Sequence, residues 1–206
     1  MNIKDIQHAL ALPDFDGTAA QMKMSPSYRG TLMIEKQPAP RLGGVMALLF
    51  CRDEELNVVL TRRRDNLSNH AGQISFPGGK HDPPESLKQT ALRETHEEVG
   101  VEETAVAVIG SLSPLYIPPS NFEVHPFVGW FKGGKRPFFQ PNAGEVAEIL
   151  ETPLHYLADP KNRGVETRQF MGRTVHVPYF DVQGYQVWGA TAMILNELLE
   201  RVELME

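Results

Sequence analysis

Short apolar segments separated by glycine, proline and charged turns predict a chain built largely of strands. Residues 42–51 are almost continuously apolar, a pattern typical of a strand that is buried on both faces. Residues 56–64 alternate, and an acidic turn joins the two runs into a predicted hairpin. Further strands are expected at residues 104–112, 122–131 and 185–188, with a second hairpin around Gly172.

Two positions leave the strand pattern open to more than one interpretation. Pro126 lies within the run 122–131 and indicates an edge position or a bulge, because proline cannot donate a ladder hydrogen bond. Residues 145–152 fit either a strand or the start of a helix.

Two other segments have the 3.6-residue periodicity of amphipathic helices. The first begins at Ser86, which can form a capping box with Gln89, and ends at Gly100. Its apolar stripe consists of Leu87, Ala91, Leu92, Thr95 and Val99. The second spans residues 189–204, and its expected core side chains are Ala192, Leu195, Leu198, Leu199 and Val202. A short helix is expected at residues 153–158.

The order of these elements predicts an α/β (α+β) fold, in which a mixed sheet is flanked by helices in an α/β/α sandwich. It is not the regular alternation of a doubly wound fold. With 206 residues and 41% hydrophobic composition, the chain is large enough for one domain with a substantial core. We expect that domain at residues 41–206. Residues 1–40, with weak helical periodicity at 3–11 and an irregular remainder, are predicted to be a lead-in segment packed on or beside it.

Three acidic residues lie close together in the second half of the central predicted helix. Glu94, Glu97 and Glu98 are spaced at i, i+3 and i+4, so their carboxylates gather on one face. Like charges at this spacing destabilise a helix by roughly 0.2–0.5 kcal/mol per pair, and the helix dipole disfavours anions at this end. The face is either simply solvated, or it holds a hard divalent cation such as Mg²⁺ or Mn²⁺. Glu98 falls at the edge of the apolar stripe and is expected to be only partly solvated.

The segment before this helix contains candidate ligands for phosphate and metal. Three arginines at positions 62–64 end the second strand, and alternation places Arg63 on the face opposite its two neighbours. They can hold substrate phosphates or form a solubilising strand end. His70 is a candidate ligand or base, or a surface histidine. The run 75–79 is expected to end in a tight glycine turn, where the carbonyl of Gly79 can reach a metal.

Composition narrows the classes of function. A net charge of −6 argues against nucleic acid as a partner, but it allows a small phosphate ligand because a bound metal inverts the local charge. The single cysteine, Cys51, fits a reducing compartment. We see no signal peptide or membrane-spanning stretch, so a soluble cytoplasmic protein is expected. The sequence contains no P-loop, no GxGxxG motif, no paired zinc-ligand spacing and no Ser-His-Asp nucleophile elbow.

Residues 79–101 resemble the Nudix box, G-x5-E-x7-R-E-U-x-E-E-x-G-U, where U is a bulky aliphatic residue. The matching residues are Gly79, Glu85, Arg93, Glu94, Glu97, Glu98, Gly100 and Val101. Thr95 stands at the first U position, where a β-branched side chain can still pack. The resemblance implies the Nudix α/β/α sandwich and a Mg²⁺- or Mn²⁺-dependent hydrolysis of a diphosphate linked to another moiety.

An overlapping pattern resembles that of the coenzyme A pyrophosphatases of this family, L-L-T-x-R-(S/A)-x3-R-x3-G-x3-F-P-G-G. The match runs with its spacing intact through Val59-Leu60-Thr61, Arg63, Gly72 and Phe76-Pro77-Gly78-Gly79. It departs at Val59, Arg64 and Ser68, and the loss of arginine at Ser68 weakens the expected recognition of a phosphate. Residues 118–129 and 187–192 also resemble this subfamily. The implied substrate is coenzyme A or an acyl derivative, cleaved to 3′,5′-ADP and (acyl-)4′-phosphopantetheine.

The resemblance also implies roles for individual residues. The metal ligands would be Glu94, Glu98, Glu97 and the carbonyl of Gly79, with Glu85 as a supporting carboxylate. Arg93 is expected to orient the glutamates, the general base is either Glu97 or Glu145, and the substrate contacts are Arg63, Arg64 and Gly78. ADP-ribose, dinucleotides and nucleoside triphosphates are alternative substrates. A non-catalytic Nudix-fold binding module and a structural protein with an acidic helix are alternative functions. A homodimer is possible.

Overall fold

The computed structural model describes residues 3–31, 39–66, 71–170 and 172–204. The helices, in chain order, are α1 (Ile3–Leu10), α2 (Gly17–Met22), α3 (Tyr28–Thr31), α4 (Leu87–Val99), α5 (Leu154–Ala158) and α6 (Ala190–Glu203). The strands are β1 (Arg41–Arg52), β2 (Glu55–Arg63), β3 (Ile74–Ser75), β4 (Gly78–Lys80), β5 (Val106–Ser111), β6 (Leu115–Ile117), β7 (Phe122–Phe131), β8 (Val146–Pro153), β9 (Arg163–Phe170), β10 (Arg173–Val182) and β11 (Tyr185–Trp188). Short 3₁₀ turns lie at Glu103–Ala105, Pro118–Ser120 and Pro160–Asn162.

The first eight strands form a mixed sheet that splits at one end. β1 and β2 pair as the predicted antiparallel hairpin only near their turn, from Leu49 opposite Val58 to Arg52 opposite Glu55. Beyond that point the two strands separate. The gap between them is occupied by β3, which pairs with β2, and by β4, which pairs with β1. β7 runs parallel to β1 on its other side, β5 and β6 pair with β7, and β8 covers the outer side of β2. The split places the start of the Nudix-box-like segment in the middle of the sheet.

Alternation along β1 divides the core into two layers. Met46, Leu48 and Phe50 belong to the apolar cluster under α4, whereas Ala47 and Leu49 belong to the larger cluster under α6. All five side chains are fully buried, which is the outcome expected for a continuous apolar strand between two helical layers. The predicted mixed sheet flanked by helices is confirmed.

The second sheet consists of β9, β10 and β11 in antiparallel order. It contains the predicted hairpin around Gly172, with Arg173 opposite Phe170. α6 follows directly, and its expected core residues Ala192, Leu195, Leu198, Leu199 and Val202 are all buried. Asn196, Glu197 and Arg201 are buried as well, so α6 is enclosed on more faces than its apolar stripe predicted. Among the described residues, no helix combines the length and apolar character that crossing a membrane requires.

The edge position predicted for Pro126 is wrong, because β7 has neighbours on both sides. The carbonyl of Pro126 accepts a hydrogen bond from the N–H of Leu112 at 2.9 Å, just where β5 has ended and β6 has not begun. The N–H and C=O of one strand residue point to the same side, so the missing donor of Pro126 falls at this break. The register shift lies in β5, between Val108 and Gly110.

The tight turn predicted at Gly78 and Gly79 is also wrong. Both glycines lie in β4, where Gly78 pairs with Val45 and Gly79 with Gly44. The open alternative at residues 145–152 resolves as a strand, since β8 begins at Val146.

The predicted irregularity of residues 12–40 is wrong where α2 and α3 lie, and residues 32–38 are outside the described part of the chain. α1 and α2 pack on α6, and Ile6 and Ala9 are fully buried in the same core cluster as the α6 side chains. The predicted division of the chain at residues 40 and 41 stays a prediction.

Candidate active site

α4 has the predicted ends. The Ser86 hydroxyl accepts a hydrogen bond from the N–H of Gln89, and the Gln89 side chain accepts one from the N–H of Ser86 at 2.7 Å. Gly100 closes the helix with a left-handed φ of 75°. The helix lies directly on β1 because Gly44 has no side chain: a Cβ there would stand 2.3 Å from the carbonyl oxygen of Leu87.

Arg93 binds three carboxylates that lie on α4 or just before it. Its guanidinium donates two hydrogen bonds to Glu85, at 2.9 and 3.1 Å, and one each to Glu94 at 2.8 Å and Glu97 at 3.0 Å. Thr90 donates a further bond to Glu85 at 2.9 Å. These bonds, chiefly those from Arg93, lower the pKa of Glu85 to about 2. One cation therefore holds three of the box carboxylates in fixed positions.

Glu98 is not among the carboxylates that Arg93 binds. It is almost completely buried, with 3% of its surface exposed. Burial is the main reason that its pKa rises to about 8; the charge of Arg63 opposes the rise. The Nη1 of Arg63 is 3.8 Å from one Glu98 oxygen. The other Glu98 oxygen and the Nε of Arg63 are buried and have no hydrogen-bond partner among the described residues. Glu98 was expected to be partly solvated, so it is more enclosed than predicted.

Gly79 brings the backbone of β4 against the helix. A Cβ on Gly79 would stand 2.5 Å from the carboxyl carbon of Glu94, so any other residue here would displace that carboxylate from its present position. Burial raises the pKa of Glu94, and the neighbouring Arg93 opposes the rise. The backbone of Gly78 acts on Glu98 in the same way as Arg63 and lowers its pKa. β4 thus touches both carboxylates that were predicted to be the main metal ligands.

Of the other predicted residues, Glu145 lies near the carboxylates, since its negative charge contributes to the raised pKa of both Glu94 and Glu98. It is exposed and immediately precedes β8. Arg64 instead supports this loop: its N–H donates to the carbonyl of Glu145 at 2.9 Å, and its side chain donates to the carbonyl of Ala143. The structure does not bring the Arg64 guanidinium to the carboxylates.

Arg62 points to the face opposite Arg63, as alternation predicted. It is 3.0 Å from Asp65 and 3.7 Å from Glu148, and its guanidinium lies over the Tyr185 ring. The candidate His70, and Ser68 where the pattern departs from arginine, lie outside the described residues.

Two contributors to the site were missed by the sequence analysis. Gly44 lies within the predicted strand 42–51, and a glycine pair inside an apolar run is a signal of close approach by another element. Thr90 is fully buried and fixes Glu85, and it was not distinguished from the rest of the helix. Its role depends on the loop 81–85 folding back, which periodicity does not reveal.

In the described part of the chain, no three His, Cys, Asp or Glu side chains converge closely enough to hold a metal ion by themselves. Arg93 and Arg63 separate the carboxylates. The donor set nonetheless fits Mg²⁺ or Mn²⁺, which bind through one or two carboxylates together with water and substrate phosphates. The unpartnered oxygen of Glu98 is the observation that favours such a ligand.

A helix that carries this box and lies on a split mixed sheet is the arrangement expected of a Nudix hydrolase. Comparison with known proteins gives the same class. A family model described as the NUDIX domain matches residues 40–171. The uncharacterized Nudix hydrolase NudL of Yersinia enterocolitica is 39% identical over 169 residues, which cover 78% of this chain and 80% of the relative. Mitochondrial Nudix hydrolase 15 of Arabidopsis thaliana is 35% identical over 162 residues, or 76% of this chain and 56% of that one.

Among solved structures, a MutT/nudix family protein from Enterococcus faecalis superposes with a TM-score of 0.56 at 14% identity, covering 98% of this chain and 75% of that one. This likeness concerns the fold alone. The chain belongs to the Nudix family and is a Nudix hydrolase, as its resemblance to the box predicted. Nudix hydrolases generally use divalent metal ions such as Mg²⁺ or Mn²⁺.

Proposed function

We propose that this protein hydrolyses a diphosphate linkage with the help of Mg²⁺ or Mn²⁺. The observation that carries the proposal is the buried carboxylate of Glu98: one of its oxygens lies 3.8 Å from Arg63, and the other has no hydrogen-bond partner among the described residues. Burying a carboxylate oxygen without a partner is costly, and a cation bound there would offset that cost. A solvated acidic face would not place one of its acids in the core.

The residues that would hold the ion are Glu94 and Glu98, with Glu97 and the carbonyl of Gly79 as further ligands. A divalent ion supplies charge neutralisation of the diphosphate and lowers the pKa of a bound water. Arg93 positions Glu94 and Glu97, and Glu85 in turn fixes Arg93 by two hydrogen bonds. Arg63 faces the same point and can take a phosphate oxygen in place of Glu98.

The general base is Glu97 or Glu145. Glu97 forms an ion pair with Arg93 and accepts a hydrogen bond from its guanidinium at 3.0 Å. Glu145 forms no ion pair with any residue that the structure describes, and it sits where its charge reaches Glu94 and Glu98. Because Arg93 does not engage Glu145, and because Glu145 lies near both predicted metal ligands, we favour Glu145 as the general base.

The substrate that we propose is coenzyme A or an acyl derivative, cleaved to 3′,5′-ADP and (acyl-)4′-phosphopantetheine. Support comes from the pattern through Arg63 and residues 76–79, and Arg63 indeed faces the carboxylates. The relatives' names specify no substrate, so ADP-ribose, dinucleotides and nucleoside triphosphates stay in the test. We also propose the cytoplasm as its location, on the grounds of the single cysteine Cys51.

The experiment is product analysis by mass spectrometry. The full chain is incubated with Mg²⁺ or Mn²⁺ and with coenzyme A, acetyl coenzyme A, ADP-ribose or a dinucleotide. Glu94→Gln and Glu98→Gln should each reduce turnover to background while leaving the circular dichroism spectrum unchanged, and the exposed control Glu103→Gln should keep full activity.

The outcomes separate the alternatives. Preferred cleavage of ADP-ribose or a dinucleotide would reassign the substrate within the family. Binding of coenzyme A without any products, for every substrate and both metals, would indicate a non-catalytic module. Near-normal turnover in both glutamate variants would refute the site.

A further inference from the structure

The outer side of β9 is a strand edge that pairs with no other strand among the residues that the structure describes. In the described chain β9 pairs with β10 alone. His176 of β10 shows how the backbone is oriented: its N–H donates to the Ser27 hydroxyl and its carbonyl accepts from the Ser27 N–H, both at 2.9 Å, on the side away from β9. His176 lies opposite Thr167. Because the backbone groups of His176 point away from β9, the two residues form a pair without backbone hydrogen bonds. In such a pair the N–H and C=O of Thr167 also point away from the partner strand, to the outside of the sheet.

The same orientation recurs every second residue, so Val165 and Gln169 also present their backbone groups to the outside. Pro178, opposite Val165, agrees with this, because a proline in a pair without hydrogen bonds costs the ladder nothing. Val165 is 64% exposed, and Thr167 and Gln169 are exposed too. Natural sheets usually protect such an edge, whereas here every second residue presents a donor and an acceptor without a partner in the described chain, beside an exposed valine.

The charges along β9 are self-complementary. Glu166 and Arg168 project to the other face of the strand and form an ion pair at 2.6 Å. Arg168 also lies over the Trp188 ring at 4.5 Å, which holds the guanidinium close to the strand. In an antiparallel pair of two identical strands, the residue a given number of positions before the two-fold axis lies opposite the residue the same number of positions after it in the other copy.

We propose that β9 pairs with β9 of a second copy of this chain, antiparallel and with the two-fold axis at Thr167. This register places Glu166 of each copy opposite Arg168 of the other, whereas an axis at Glu166 or Arg168 would place like charges opposite each other. Thr167 then pairs with Thr167 and Val165 with Gln169, and each of these pairs exchanges two backbone hydrogen bonds. The two three-stranded sheets become one continuous sheet.

The first test removes one outward donor. Thr167→Pro deletes an N–H that has no partner among the described residues of the monomer, so the dissociation constant of the dimer should rise at least roughly tenfold. Thr174→Pro is the matched control: Thr174 lies opposite Gln169, so its N–H points away from β9, on the side of the hairpin that lies away from the proposed interface. Analytical ultracentrifugation over a dilution series measures both, with thermal melting by circular dichroism as the check on folding.

The second test reads the register and holds even where a proline variant fails to fold. Arg168→Glu places like charges opposite each other and should weaken the dimer about tenfold. The double variant Glu166→Arg/Arg168→Glu should restore wild-type association, although it loses the same contact with Trp188. A wild-type chain that stays monomeric at about 100 μM, equal dimerisation of the two proline variants, or no rescue in the double variant would each overturn the proposal.

Discussion

At the residue scale, the site is defined by how its carboxylates are held apart. Arg93 binds three of them, and Arg63 approaches the fourth, Glu98, at 3.8 Å. Arg93 makes close, well-aligned hydrogen bonds, whereas the Arg63 contact is too long to be one. The strong contacts fix positions, whereas the weak one is more easily exchanged for a contact with a ligand.

Gly79→Ala tests the closeness of β4 to the helix. The added Cβ would stand 2.5 Å from the carboxyl of Glu94, so this carboxylate must move. We expect kcat to fall roughly 100-fold, as a displacement of this size in a catalytic group can cause. Steady-state kinetics measures it. Gly172→Ala is the control: its Cβ meets nothing within 4 Å and its φ is 71°, so stability should drop slightly and kcat should not. Equal kcat values for the two variants would contradict the argument.

Glu85 gives the protein a defined dependence of stability on pH. Its folded pKa of about 2 lies below the ordinary 4.5, so its contribution is complete above pH 4.5 and is lost as the pH falls toward 2. Glu85→Gln should lower the free energy of unfolding by about 1–2 kcal/mol at pH 7, allowing for partial solvent screening. Urea denaturation at pH 7, 5 and 3 should show the difference from wild type shrinking at the lowest pH. A difference that stays constant would be inconsistent with the ion pair.

At the element scale, α6 is organised around a buried charge. Glu197 is fully buried and accepts hydrogen bonds from Arg201 at 3.1 Å, from Gln21 at 2.8 Å and from Ser113 at 3.0 Å. These partners come from α6 itself, from α2 and from the link between β5 and β6. One side chain therefore connects the N-terminal helices to the break in the sheet that accommodates Pro126.

Glu197→Gln should destabilise the fold by about 3 kcal/mol, because it leaves the buried guanidinium of Arg201 without its counter-charge. Glu200→Gln on the same helix is the control. Glu200 is 22% exposed and pairs with the solvated Lys23, so its loss should cost about 1 kcal/mol or less. Equilibrium urea unfolding measures both. Losses of the same size would show that Glu197 acts as an ordinary surface acid.

Local signals predicted the elements well where the chain carries its own stop and start residues. Ser86, Gln89 and Gly100 mark the two ends of α4 as expected, since capping involves residues close in sequence. The predicted edge position of Pro126 was wrong because it depends on strands that are distant in sequence. Its sequence shows that a donor is missing, but only the neighbouring strands decide whether that costs anything.

At the scale of the whole molecule, the sequence predicted the chemistry of the box better than its surroundings. Spacing alone gathered Glu94, Glu97 and Glu98 on one face. It did not reveal that β4 covers Glu98, or that Glu145 arrives from a segment almost fifty residues further on. Nor did periodicity show that α1 and α2 enclose α6, because buried polar side chains such as Glu197 resemble solvated ones in a sequence.

The parallel pairing of β1 with β7 has a consequence for how the protein folds. Arg41 lies beside Phe122 and Leu49 beside Trp130, so every pair closes a loop of roughly eighty residues. α4 and its caps form from local contacts, but the sheet that supports them must wait for this slow, entropically costly closure. The carboxylates of Glu94 and Glu98 therefore reach their final positions late in folding, and a divalent ion can stabilise the native state without accelerating its formation.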